Sequence, residues 1–487
     1  MKVTFVYPDI VPHVLDWSGY FHYGIGSLSA ILKASGHATS LIHVSQPMLK
    51  SVFIEQLQSG SPDLIAFSST SHMFPQVRQF AQWLREDHIH VPTIYGGMHP
   101  TIAPEESLAL NGIDMICRGE GEDAMAELCD LLEQGRDSTT IRNLWVKSNG
   151  NVIRNPLRPV IEDLDQLPFA DREIYDYPRL YHERHGMACF MASRGCPFNC
   201  TYCCNQLKRS IYGTNAKPVR KRSVDNVLRE IKQVVQAHPF IERIAFDDDI
   251  LFLNKKWSRE FAARYKSEIG LPFMCNARAD VTDEATVGLL RDAGCYYVKL
   301  GLENGSQDLR YNVLNRHMTN EQIATAFRLC KEAGMITHAY NIVGIPRETP
   351  RTMMDTVKMN AKIGVDITHV SIFQPYPGTK LHQVCRSEGL LDSETLPDDI
   401  FSSSVLKLKD ASVSQVLMFR DYFRAFMWCY RLLWRLPKRI SKSATRLLER
   451  CLAAQCTATV LNAVYLPCNY LYRRIGLVLN FRHTVAK

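Results

Sequence analysis

Cys196-Pro197-Phe198-Asn199-Cys200-Thr201-Tyr202-Cys203 decides how this 487-residue chain is read, because it spaces three cysteines as C-x3-C-x2-C. Iron–sulfur cubanes that only carry electrons are closed by four thiolates. Three thiolates hold three irons and leave the fourth open to an exchangeable ligand, which is where chemistry starts. The alternative for such a run is a zinc knuckle. Zinc sites, however, pair one C-x2-4-C with a second pair downstream, and none follows here. Cys204, directly after the third ligand, reads as a reduced bystander, since adjacent residues of an extended loop point apart.

Working outward, the residues before the cysteine run form a strand over 188–193, and strand-like segments recur at 243–246, 272–276, 296–300, 337–343 and 366–373, with helical stretches between. In repeated strand–helix units the functional residues sit at the carboxyl ends of the strands. Polar groups fall there: Phe246-Asp247-Asp248-Asp249; Asn276, Arg278 and Asp280; Gly301-Leu302-Glu303-Asn304; Asn341 to Pro346; and Gln374-Pro375-Tyr376-Pro377-Gly378-Thr379. Three consecutive carboxylates are costly unless something cationic faces them or one of them caps the next helix. The planar fork of Arg278 suits a carboxylate.

Residues 1 to about 135 alternate short β-branched runs (3–7, 40–44, 64–68, 93–95, 114–117) with helical patterns (26–35, 75–86, 122–134), the sequence form of a doubly wound parallel sheet. In such sheets ligands lie beyond the carboxyl ends of the strands. Three polar or glycine-rich turns fall at those ends: Ser68-Ser69-Thr70-Ser71, Gly96-Gly97-Met98-His99-Pro100-Thr101, and Gly119-Glu120-Gly121-Glu122. Glycines there let the backbone approach a bulky ligand closely.

The cysteine run, with Tyr202 just before its last ligand, resembles the radical SAM superfamily. The GG-x-H-P-T and G-E-G-E segments resemble the cobalamin-binding domain that precedes the radical SAM domain in a large subfamily, and the likeness spans roughly residues 1–385. The resemblance implies an α/β protein: an N-terminal doubly wound, Rossmann-like cobalamin-binding domain (1–140), a linker (141–185) rich in Asp, Pro and Tyr over 161–181, and a partial (β/α)6 radical SAM barrel (186–400); outside the likeness, the residues of 401–487 read as a basic helical C-terminal region. It implies that Cys196, Cys200 and Cys203 hold a 4Fe-4S cluster. Tyr202, Asp247, Asp248, Arg278, Glu303 and Asn341 would contact S-adenosyl-L-methionine (SAM), and Ser68, Ser69, Thr70, Gly96, Gly97, Gly119 and Glu120 would surround cobalamin. No further catalytic residue is assigned. The D-x-H-x-x-G motif that supplies a cobalt ligand in many cobalamin proteins is missing, because Asp9 and His13 have the wrong spacing.

By the same resemblance, the activity expected is radical chemistry through a 5′-deoxyadenosyl radical, with C-methylation of an unactivated carbon of a metabolite as the first choice; a C-terminal region that meets a membrane would make that metabolite a lipophilic one. Oxidative cyclisation or rearrangement of the tetrapyrrole type is the alternative, and a non-catalytic SAM or cobalamin regulator the second. The implied partners are a small-molecule substrate and an electron donor such as flavodoxin or ferredoxin.

Composition supports a globular, reducing-compartment protein. Hydrophobic residues make up 46% and charged residues 22%, which excludes bulk disorder. Fifteen scattered cysteines, an odd number, read as thiols of the cytoplasm and not as a disulfide framework. The apolar run at the N-terminus is too short for a signal peptide. Residues 401–487 carry 15 Lys/Arg against 3 Asp/Glu, a net +12, which leaves residues 1–400 at −5. Within 413–434, Phe419, Phe423, Phe426, Trp428 and Tyr430 surround Arg420, Arg424 and Arg431, with Arg435 just beyond. At about 100° per residue these arginines share one face of a continuous helix. That pattern fits a helix lying on an anionic membrane at the cytoplasmic face, or a cap that buries its aromatics against the barrel. Residues 451–472 lack charge, but Gln455, Asn462, Pro467 and Asn469 argue against a spanning helix, and Cys451, Cys456 and Cys468 read as buried thiols. No nucleic-acid recognition motif accompanies the basic tail.

Overall fold

In the computed structural model, which describes residues 1–11, 16–213, 217–391 and 403–463, the β-branched runs of the first third become β1 (Lys2–Pro8), β2 (Ala38–Val44), β3 (Leu64–Ser69), β4 (Thr93–Gly97) and β5 (Met115–Cys117). All five are parallel, and β6 (Leu144–Ser148) and β7 (Asn151–Arg154) add an antiparallel edge, giving the order β2-β1-β3-β4-β5-β6-β7. The chain leaves β1 in one direction to make β2 and then returns past it to make β3. The β1/β3 boundary is therefore the topological switch point at which such sheets bind ligands.

Two elements here differ from the sequence expectation. The helix expected over 26–35 is Tyr23–Ala34, opened by His22, whose ring accepts from the Ile25 N–H. The sheet also runs on through Arg154, into the stretch read as linker. The cause is the Asn149-Gly150 turn, with φ of 51° and 76°, which is the two-residue chemistry that folds a tight hairpin. The core on one side of the sheet joins Val6, Ile65, Phe67 and Tyr95 to Phe53, Val77, Phe80 and Leu84 from helices Lys50–Gly60 and Phe74–Glu86. Each such fully buried apolar side chain contributes roughly 1.5–3 kcal/mol. Phe53 and Phe80 stack at 4.8 Å.

The chain forms two compact units. The first holds Met1–Ala277, Glu284–Tyr297 and Tyr376–His382, and the second Arg278–Asp283, Val298–Pro375 and the described residues from Gln383 onward. The first unit continues with β8 (Met187–Phe190), a short antiparallel pair β9 (Ser193–Arg194) and β10 (Arg220–Lys221), and then β11 (Arg243–Phe246) and β12 (Phe273–Ala277). Strands β8, β11 and β12 are parallel neighbours. Helix Lys255–Glu268 covers them with Trp257, Phe261 and Tyr265, spaced four apart on one face. Phe246 meets the rings of Phe261 and Phe273 edge-on at 5.5 Å.

In the second unit, β13 (Cys295–Glu303, which begins in the first unit), β14 (Ile336–Val343) and β15 (Ile367–Ile372) lie side by side in that order. Helices Asn320–Glu332 and Pro350–Ile363 follow capping boxes, Thr319/Gln322 and Thr349/Thr352. The basic tail folds as Val413–Asp421, Phe423–Leu433 and Lys438–Ala453. Phe419, Phe423, Phe426, Met427 and Tyr430 are buried. The arginine stripe drawn through 420–435 is not present, because the helix breaks at Tyr422 and the 3.6-residue period does not run through the break. Arg420 pairs with Asp421 at 2.6 Å, and Arg431 caps helix Pro350–Ile363 by donating to the Ala361 and Val365 carbonyls at 3.3 Å. Cys451 and Cys456, expected as buried thiols, are exposed, and the rest of the reading of 451–472 lies partly outside the described residues.

Candidate active site

At the β1/β3 switch point the first unit encloses a cavity of about 430 Å³. All seven residues expected around cobalamin line it: Ser68, Ser69, Thr70, Gly96, Gly97, Gly119 and Glu120. Gly97 has φ +99°, and a Cβ there would stand 2.6 Å from the Ser69 carbonyl oxygen. Only glycine lets β4 turn this closely against β3. Thr101 couples two of the turns, its hydroxyl donating to the Gly97 carbonyl at 2.7 Å and accepting the Gly119 N–H at 3.0 Å. The third turn is fixed by Tyr212, whose hydroxyl accepts the Glu120 N–H at 2.8 Å and occupies the space a side chain at position 119 would need.

The opposite wall comes from the cysteine half of the unit: Met191, Ser193, Arg194, Gly195, Asn205, Lys208, Asp247 and Asp249. A charge network ties the walls together. Arg194 reaches Glu120 at 3.0 Å and Glu122 at 2.7 Å, and Arg220 reaches Glu120 at 2.8 Å. Burial alone would push the Glu120 carboxyl up. The hydrogen bond from Arg220, the charges of Arg194 and Arg220 and the Ile161 N–H outweigh it and take the group down to about 2. The same carboxylates hold the Arg194 guanidinium charged against its own burial. Deeper in, Arg172 and Arg222 share Glu230 at 2.8 and 2.5 Å, and the Arg172 guanidinium lies 4.7 Å from both the Phe21 and Phe190 rings. Desolvated charges of this kind persist only when paired.

The cysteine loop runs from β9 to helix Cys204–Tyr212. Cys200 is buried, Cys196 and Cys203 are half-buried, and the Cys203 N–H donates to the Cys200 carbonyl at 3.2 Å. Arg209 braces the loop by donating to the Cys196 carbonyl, the Asn199 side chain and, at 3.0 Å, the Phe198 carbonyl. Leu381 N–H donates to the Thr201 carbonyl at 3.0 Å. Burial pushes the Cys196 thiol up to about 11, a cost that a bound cation removes by taking the thiolate as ligand. Among the described residues no group of three His, Cys, Asp or Glu side chains converges on the position of a single metal ion. The donor set, three thiols on one braced loop, fits an iron–sulfur cluster.

The residues expected to contact SAM divide between the units. Tyr202 sits beside Cys203, and Asp247 lines the cavity with Asp249, which accepts from the Asn205 amide at 2.9 Å. Asp248 turns inward, where the Ala192 N–H at 2.9 Å and the Ser193 hydroxyl occupy its carboxylate. In the second unit, Arg278 pairs with Asp280 at 2.7 Å. Glu303 stands 3.7 Å from Arg316 at a φ of 65°. Asn341 is buried and exchanges an amide hydrogen bond with Asn360 of helix Pro350–Ile363 at 2.7 Å. The sequence reading missed Arg194, Arg209 and Arg220. Arg194 stands two residues before Cys196, but its partners lie more than seventy residues away, beyond any local pattern.

A B12 binding domain model matches residues 19–129, and a Radical SAM superfamily model matches residues 191–359. The chain carries a B12 binding domain followed by a Radical SAM superfamily domain. An uncharacterised methyltransferase of Pyrococcus horikoshii is 27% identical over 421 residues, covering 85% of this chain and 90% of the relative. The anaerobic magnesium-protoporphyrin IX monomethyl ester cyclase of Rubrivivax gelatinosus is 28% identical over 398 residues, covering 79% of this chain and 70% of the relative. The solved structure of the radical SAM methyltransferase TsrM from Kitasatospora setae, with cobalamin and a 4Fe-4S cluster bound, shares the fold with a TM-score of 0.64 at 20% identity, over 81% of this chain and 76% of that one. That TsrM structure holds cobalamin and a 4Fe-4S cluster, and the structure of the cobalamin-dependent SAM radical enzyme OxsB, which shares the fold with a TM-score of 0.68 at 15% identity over 96% of this chain and 75% of that one, holds aqua-cobalamin and SAM. Cys196, Cys200 and Cys203 are the residues that fit the cluster, and the turns at Ser68, Gly96 and Gly119 those that fit the corrinoid.

Proposed function

We propose that this enzyme C-methylates an unactivated carbon of a small, lipophilic metabolite. The observation that carries the reading is the shared cavity: Gly195, next to the first cluster cysteine, lines the same space as the three turns of the B12-binding sheet. When bound, the cluster and SAM supply hydrogen-atom abstraction, and cobalamin supplies the methyl group. The chain's own residues do the positioning. Arg209 holds the cysteine loop in shape, and Arg194 and Arg220 pin the loop side of the cavity to Glu120. The Asp247 and Asp249 carboxylates supply the negative rim that a cationic amino or sulfonium group requires. Phe5, Leu28, Ile94 and Met191 line the remainder and exclude water. The test is transfer of an isotopically labelled methyl group from SAM into a product carbon by the anaerobically reconstituted enzyme.

A second reading is oxidative cyclisation, favoured by the cyclase relative that covers 79% of this chain. There the same assay leaves the label out of the product while the substrate loses hydrogen. Either reaction draws electrons from a donor such as flavodoxin or ferredoxin.

The lipophilic part of the proposal rests on the tail, with peripheral contact at the cytoplasmic face of a membrane. Trp428 and Leu432 are 62% and 54% exposed on helix Phe423–Leu433, and Ile440 and Leu447 are 56% and 64% exposed on helix Lys438–Ala453. The latter helix also exposes Arg439, Lys442, Arg446 and Arg450. At about 100° per residue these four cations form one stripe with Ile440 and Leu447 along its edge, the pattern of an interfacial helix. No described helix is long and apolar enough to cross a membrane.

A further inference from the structure

The three strands of the second unit have two unlike faces. On β14, Thr337, Ala339, Asn341 and Val343 are buried, and Asn341 is bonded to helix Pro350–Ile363. The alternating side chains His338 and Tyr340 therefore project from the opposite face. On β13, Val298, Leu300 and Leu302 are fully buried while Lys299 between them is half-exposed. On β15, His369 lies opposite Tyr340 in register and is exposed.

These four polar side chains gather across neighbouring strands. The His338 and Tyr340 rings are 4.7 Å apart, Tyr340 and His369 5.7 Å, and His338 and His369 6.4 Å. Lys299 is close enough to His338 to act on it electrostatically: burial, then His369 and then Lys299 bring the His338 imidazole down to about 4. Among the described residues, the carboxylate on the same face of β13 is Glu303, and it stands 3.7 Å from Arg316. Asp366, just before β15, is engaged by Thr337 and Lys331. Three neutral donors and one ammonium thus share one patch on a sheet, a set that can offer several hydrogens at once to the oxygens of an anion.

We propose that Lys299, His338, Tyr340 and His369 form an anion-binding site for a carboxylate or phosphate group of the enzyme's substrate. The chemistry follows from the donors: an ammonium as point charge, imidazole N–H groups and a phenol O–H, all complementary to a charged oxygen cluster. The inference deepens the small-molecule reading above by naming an acidic group on the otherwise apolar substrate. Such a group would orient the molecule, since charge-assisted contacts fix position where apolar walls do not.

The test is histidine footprinting of the reconstituted enzyme under anaerobic conditions, with diethyl pyrocarbonate as reagent and mass spectrometry as readout. Inorganic phosphate and hexanoate are added in separate arms. The site predicts saturable protection of His369 by at least one anion, loss of that protection in Lys299→Gln, and its retention in Lys299→Arg, with the exposed His185 unprotected throughout. Protection by phosphate alone assigns a phosphorylated substrate, and protection by hexanoate alone a carboxylic acid. Absence of protection in the unaltered enzyme, equal protection in Lys299→Gln, or equal protection of His185 would overturn the site. The readout needs no turnover, so failure of methyl transfer and failure of this site are separable.

Discussion

Cys200 and Cys204 stand four residues apart and are expected to behave oppositely. Cys200→Ala removes one of three thiolates and should reduce cluster iron to background by elemental assay, whereas Cys204→Ser should retain it. The paired glycines also separate by geometry. A Cβ at Gly97 meets the Ser69 carbonyl at 2.6 Å with φ +99°, so Gly97→Ala should cost roughly 1–3 kcal/mol, seen as a fall in Tm of roughly 2–4 °C per kcal/mol. At Gly96 the nearest atom to a new Cβ is that of Cys117, at 3.8 Å. Gly96→Ala should therefore leave Tm unchanged while lowering bound cobalamin; unchanged cobalt content would remove Gly96 from the corrinoid surface. At this scale the cysteines were legible because their spacing is local. Asp248 was not separable from Asp247 and Asp249, because which of three adjacent carboxylates turns inward depends on Ala192 and Ser193, more than fifty residues away.

Among elements, the Glu120–Arg194–Arg220 network is the most exposed to test. Removing Arg194 as Arg194→Met strands Glu122, which is 6% exposed, while Glu120 keeps Arg220, and breaking a buried pair costs about 3–5 kcal/mol. Chemical denaturation should show that loss, with Glu122→Gln/Arg194→Met recovering part of it. The pH dependence has a definite sign. Glu120 titrates at about 2 when folded against roughly 4.3 unfolded. It therefore contributes on the order of 3 kcal/mol above the unfolded value, lost as pH falls from about 4.5 to 2. Glu120→Gln should flatten the acid limb of the stability curve in that window; an unaltered limb would contradict the network. The strands of the first sheet were readable from alternation, but the β6–β7 hairpin was missed although Asn149-Gly150 marks it. The Asp- and Pro-rich segment that follows drew the boundary too early.

For the whole molecule, the split between sheet chemistry and tail decides what the enzyme meets. Exposed Trp428 and Leu432 predict that Trp428→Ser/Leu432→Ser lowers co-sedimentation with phosphatidylserine vesicles without changing Tm, whereas equal sedimentation would leave the tail a structural cap. Charge asymmetry made the tail visible in the sequence, but the break at Tyr422 did not show there, because no proline or glycine stands at that position. The fold of both sheets was legible from repeated strand–helix units, while the charged contacts that join distant segments were not. The central claim is that a three-thiolate cluster and a corrinoid serve one reaction. Mass spectrometry for 5′-deoxyadenosine, on enzyme reconstituted anaerobically with iron, sulfide and cobalamin, tests it most directly. The account predicts SAM cleavage that depends on all three of Cys196, Cys200 and Cys203, from protein carrying both iron and cobalt. Protein that binds neither, or SAM cleavage that survives Cys200→Ala, would contradict it.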